Sequence, residues 1–178
     1  MQAAVYLQQQ IKGGFTMKRW VKRLVILCAV ILVPVLFNVV IMCVNDGIAD
    51  GMEKEILSCP LPEHTELLDS ISIAAKVYGS GNGMQYNSGI LVRSELDEEE
   101  LANHYEKYVQ GFKERFGMKP WLIVERQETP VIFEYQDYCF DNWQPGEENY
   151  RVFIYIGSTV GCEETLGEAL LNMDLRGH

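Results

Sequence analysis

Between Leu24 and Val44 the chain runs for 21 residues without a charge. At about 1.5 Å of rise per residue, a helix of that length matches a hydrocarbon core of about 30 Å. The run either crosses a bilayer or needs a small domain to cover it on every side, which few domains of this size can do. A cleaved signal peptide is a further option, with a small-residue pattern at Gly47-Ile48-Ala49. Its apolar region, however, is ordinarily only about 7 to 15 residues long. Lipidation at Cys43 is disfavoured, because the two residues before it, Ile41 and Met42, are bulky.

The flanks of the run set its direction. Lys12, Lys18, Arg19, Lys22 and Arg23 precede it with no acid among them, whereas Asp46, Asp50, Glu53 and Glu55 follow it against Lys54 alone. That asymmetry places residues 1–23 in the cytoplasm, residues 24–44 across the cell membrane in contact with lipid, and the remainder outside. Trp20 lies at the cytoplasmic boundary, where an indole rests at headgroup depth. Pro34 and Asn38 fall within the span and mark either a kink or a contact with another helix. Residues 1–16 are rich in glutamine and glycine, and Met17-Lys18-Arg19 is the expected natural start.

The formal charge of the whole chain is −10, but its distribution is uneven. All five cations named before the run stay behind with it, so 10 basic and 25 acidic side chains remain after Val44, a balance of −15. Nucleic acid is therefore excluded as a partner, because phosphate binding needs a basic stripe. A protein partner should instead present a basic surface. From Asn45 to Cys59, Ile48, Met52 and Ile56 recur every four residues, which predicts a juxtamembrane helix or stalk ended by Cys59-Pro60-Leu61-Pro62. A folded extracytoplasmic domain is expected over 60–178.

Within that domain, Ile71, Ile73, Ala75 and Val77 alternate with Ser72, Ala74 and Lys76, the period of a strand. A second strand is expected from Gln85 to Arg93, joined to the first through the Gly79–Gly83 loop in a hairpin. Asp97 and Glu100 have the spacing of a capping box, and Leu96 can staple onto Leu101. They open a helix bearing Leu101, Tyr105, Tyr108, Phe112 and Phe116, stopped by Gly117 and Pro120. Trp121–Arg126, Val131–Tyr135 and Tyr150–Ile156 read as three further strands, and a last helix near Glu163 carries Leu166, Leu170 and Leu171. The order ββαβββα predicts an α+β domain with a largely antiparallel sheet packed on one long helix.

The charged start, single anchor, Pro62 with Thr65-Glu66-Leu67, the Gly79–Gly83 loop, and Ser94-Glu95-Leu96 leading to Glu100-Leu101 and Tyr105 carry a resemblance over residues 17–110. The chain is similar there to an uncharacterised family of short, single-pass, membrane-anchored extracytoplasmic bacterial proteins. That resemblance implies an outer domain behind one anchor and assigns no catalytic residue.

Candidate chemistry is sparse. Cys59, Cys139 and Cys162 fall on the outer side, where oxidation permits one bridge and leaves one thiol, any of three pairings being open. Without CxxC or HExxH spacing, neither a zinc site nor another metal or cofactor is expected. Gly79–Gly83 lacks the third glycine and the βαβ setting of a dinucleotide loop. Gly157-Ser158-Thr159-Val160-Gly161 has its serine one place too early for a nucleophile elbow. His104, on the helix, and His64, in the Pro-rich lead-in, read as surface residues. The richest stretch runs from Glu134 to Glu148, with Glu134, Asp137 and Asp141 interleaved with Tyr138, Phe140 and Trp143. Glu134, Tyr138 and Trp143 are candidate ligand-binding residues, and Asp137 with Asp141 the catalytic pair if the domain acts on glycan. The simpler reading has those aromatics completing the core. The expected function is a membrane-anchored binding module, with a glycan-acting envelope enzyme and a structural membrane subunit as alternatives.

Overall fold

The structure, a computed structural model, describes residues 18–77, 83–116, 120–133, 138–145, 149–157 and 165–176. Its order is α1 (Arg19–Ser58), β1 (Thr65–Ala75), β2 (Gln85–Ser94), α2 (Glu98–Phe116), β3 (Trp121–Arg126), β4 (Asn149–Gly157) and α3 (Leu166–Leu171). Two compact units result, Met1–Phe37 and Asn38–His178, and α1 contributes to both.

In the first unit, every helical residue from Leu24 to Phe37 is exposed, and Pro34 lies inside the helix. The helix near the N-terminus is thus long and apolar enough to cross a membrane. From Asn38 onward the same helix behaves differently. Ile41, Asn45, Ala49, Met52 and Ile56 are buried, at the three- and four-residue spacing that puts them on one face.

That face covers a four-stranded antiparallel sheet of order β1-β2-β4-β3. The chain leaves β2 through α2, forms the edge strand β3, and returns as β4 between β2 and β3. The result is a split βαβ arrangement in which β4 separates two parallel neighbours. Successive side chains of a strand point to opposite faces, so the two faces have separate cores. One holds Ala74, Tyr86, Ile90, Val92, Val152, Ile154 and Ile156 beneath Ala49, Met52 and Ile56 of α1 and Leu101 and Tyr105 of α2. Ser72 and Ser88, paired across β1 and β2, let α1 come close: Ser88 Oγ donates to the Ala49 carbonyl at 2.7 Å, and Ser72 Oγ donates to Asp50 at 2.6 Å.

The other face carries Leu91 and Phe153, with Ile73, Ala75 and Val77 in an adjoining patch. Its cover is the β3–β4 connection, through Ile132, Phe133, Tyr138, Phe140 and Trp143. Val131, Ile132 and Phe133, the described part of the expected strand Val131–Tyr135, are therefore not a strand of the sheet. Among the described residues of this stretch Val131 alone makes a bridge, to Cys139, and β3 pairs with β4. The physical reason is that the apolar side chains here turn down onto the sheet face rather than extending its edge. After α1 the order is therefore ββαββα rather than ββαβββα, one strand fewer among the described residues, and two helices, not one, lie over the first face.

The predicted cap of α2 is present as a reciprocal pair. The Glu100 backbone N–H donates to Asp97 at 2.9 Å, and the Asp97 N–H donates to Glu100 at 3.1 Å. Thr165 and Glu168 form the same device at the start of α3.

Candidate functional site

A dense polar cluster lies where α1, β2 and segment 171–176 meet. Asn45 has no exposed surface, although it sits on the apolar stripe of α1. Its side chain is fully engaged. Its amide donates to the Leu171 carbonyl at 3.1 Å and to Asp174 Oδ2 at 2.8 Å, while its Oδ1 accepts from the Tyr86 hydroxyl at 2.8 Å. Asp174, also without exposed surface, accepts from the guanidinium of Arg176 at 2.7 Å. Arg176 reaches back to α1, donating to Asp46 at 2.7 Å and to the Met42 carbonyl at 3.3 Å. Asn38 extends the contact by donating to the Met173 carbonyl at 3.0 Å.

The electrostatics follow from this geometry. Burial by itself would raise the Asp174 carboxyl, but hydrogen bonds from Arg176 and Asn45 and the Arg176 charge outweigh it and hold the group below its ordinary value. The same bond to Asp174 raises Arg176, which stays a cation. Burial, followed by the negative charge of Asp174 and Glu168, lifts the Tyr86 phenol far above the usual range, keeping it a neutral donor to Asn45. Chemically, this is a lock. Every group is committed to a partner within the chain, and the cluster ties α1 to β2 and to segment 171–176.

A second feature is an open groove of about 510 Å³ bordered by Asp97, Glu98, Glu99, Arg126, Glu128 and Tyr150. Glu98 accepts from the Arg126 backbone at 3.0 Å, and the Arg126 guanidinium lies 5.8 Å from the centre of the Tyr150 ring. Four carboxylates against one cation make it attractive to a basic side chain.

The sequence-derived candidates are dispersed. Trp143 packs half-buried into the second core, and its indole N–H donates to the Gln127 carbonyl at 2.9 Å. Tyr138 joins the same cover, and its carbonyl accepts from Ile132 at 2.9 Å. Asp141 is exposed, while its neighbour Asn142 donates to Asp69 and to the Leu68 carbonyl. Glu134, Asp137, Glu147, Glu148 and Cys162 lie outside the described residues. Cys59 and Cys139 are free thiols, Cys59 donating weakly to the Glu55 carbonyl at 3.5 Å. His104 donates from Nε2 to the Pro60 carbonyl at 2.7 Å, and His64 sits at φ 58° beside Glu95. Among the described residues, no group of three or more His, Cys, Asp or Glu side chains is placed to hold a metal ion.

The residues of the lock were not among the candidates. One trace of them is legible: Asn45 interrupts an otherwise apolar stripe, which in a buried position requires a hydrogen-bonding partner. Compared with protein-family models, curated proteins and solved structures, the chain shows no match.

Proposed function

We propose that the chain is a single-pass membrane-anchored binding module, with a cytoplasmic N-terminus and an extracytoplasmic α+β domain that recognises a protein partner with a basic surface. The observation that carries the reading is the double use of α1, whose exposed apolar part passes into a part buried against the sheet. Cleavage after Ala49 would strip Ile41, Asn45 and Ala49 from the domain, so an uncleaved anchor suits this fold better than a removable signal. The cations before the run and the acids after it support the orientation. The balance of −15 after Val44 and the groove at Glu98, Glu99 and Glu128 support a basic partner.

The test is a mild-detergent pull-down of the full chain from its native membranes across a series of salt concentrations, beside a Glu99→Lys, Glu128→Lys variant. Capture of a discrete partner that weakens as salt rises, and is lost with the charge reversal, is the expected result. A partner held equally at low and high salt would overturn the electrostatic reading. Recovery of a chain beginning after Ala49 from those membranes would overturn the anchor.

A further inference from the structure

The lock fixes segment 165–176 at a depth that α1 itself defines. Asn38, Met42 and Asn45 hold Met173, Arg176 and Leu171 in turn, so residues 171–176 lie along the helix face from 38 to 45, and α3 leads directly into them. Asn38 is six residues inside the end of the uncharged run at Val44, about 9 Å along the helix axis. If the run crosses a bilayer, whatever is bonded to Asn38 lies within the outer headgroup and upper acyl region. The exposed side chains of this stretch and of the α3 turns before it suit that medium: Leu166 is 79% exposed, Leu170 39%, Met173 53% and Leu175 69%. Alongside them α1 exposes Val39, Val40 and Val44. Its polar side chains are paired within the chain: Asp174 is buried against Arg176 and Asn45, and Glu168 accepts from Thr165.

We infer that segment 165–176 is a second membrane contact, inserting Leu166, Leu170, Met173 and Leu175 into the outer leaflet beside the anchor. The occupant of this apolar face is lipid, because the segment is bonded to Asn38 and Met42, which are themselves residues of the uncharged run. A segment with apolar side chains on one side and satisfied polar groups on the other is the form that interfacial elements take. The inference rests on the anchor reading proposed above.

The test uses the full chain reconstituted into vesicles of phosphatidylcholine and phosphatidylglycerol. A photoactivatable residue is introduced singly as Leu166→benzoylphenylalanine and Leu175→benzoylphenylalanine, both exposed positions that leave the core intact. Val35 and Glu99 receive it as references, and lipid adducts are read by intact mass after irradiation. Adducts at 35, 166 and 175 with none at 99 are expected. Adducts at 35 but none at 166 and 175, or cross-links from 166 and 175 to a second copy of the chain, overturn the inference and leave the anchor standing. Adducts at 99 as well overturn it by showing that the whole domain lies on lipid. Absence of an adduct at 35 overturns the anchor reading, and this inference with it.

Discussion

Asn45 illustrates how much a single polar side chain can settle once it is buried. Removing the Tyr86 hydroxyl leaves its Oδ1 without a partner in a site closed to solvent, so Tyr86→Phe is expected to lower unfolding free energy by about 1–3 kcal/mol in denaturant titrations. A double-mutant cycle with Asn45→Ala should give a combined loss smaller than the sum, because both substitutions break one bond. Asp174 adds a pH dependence whose sign is fixed by its lowered carboxyl. The unfolded chain takes up that proton at a higher pH, near the ordinary value of about 3.9, than the folded chain does. The contribution of Asp174 is therefore complete above that value and fades as the pH falls below it. Unfolding free energy plotted against pH should lose part of its acid slope in Asp174→Asn. Gly89 is a steric counterpart: a β-carbon there would meet the Val152 carbonyl oxygen at 2.5 Å and the Phe153 ring at 2.8 Å. Gly89→Ala is expected to cost about 1–3 kcal/mol, read as a lower melting temperature.

Among the elements, α1 makes the sharpest prediction. Ala49, Met52 and Ile56 form part of the first core, so a chain beginning at Pro60 is expected to lack cooperative unfolding, whereas one beginning at Asn38 keeps it in detergent. Circular dichroism melts of the two chains check this. The cap of α2 is a smaller term, Asp97→Ala costing about 0.5–2 kcal/mol by the same measurement. Elements governed by local rules were legible in the sequence. The alternation at Ile71, Ile73 and Ala75 and the spacing of Asp97 and Glu100 each specify one backbone form regardless of what lies elsewhere. Val131–Tyr135 was not legible, because a short apolar run reads alike whether it joins a sheet or lies over one, as Ile132 and Phe133 do. The partner of the alternating strand face was also hidden. The isoleucines of β1 meet the β3–β4 connection, and the helix lies over the serines. The lock was hidden for a related reason, since the partners of Asn45 lie 41 to 129 residues farther along the chain.

For the molecule as a whole, the sheet order and the lock together set the order of assembly. β4 fills the gap between β2 and β3, so the sheet cannot close until residue 157 has been made. At about 5–20 residues per second, synthesis takes on the order of 10 s to carry the chain from Asn45 to Asp174. During that interval the face of α1 that carries Asn45, Ala49, Met52 and Ile56 has been made while its covering partners have not. Until they arrive the Asn45 amide must find its hydrogen bonds in solvent, which makes folding of this domain a late event in the life of the nascent chain.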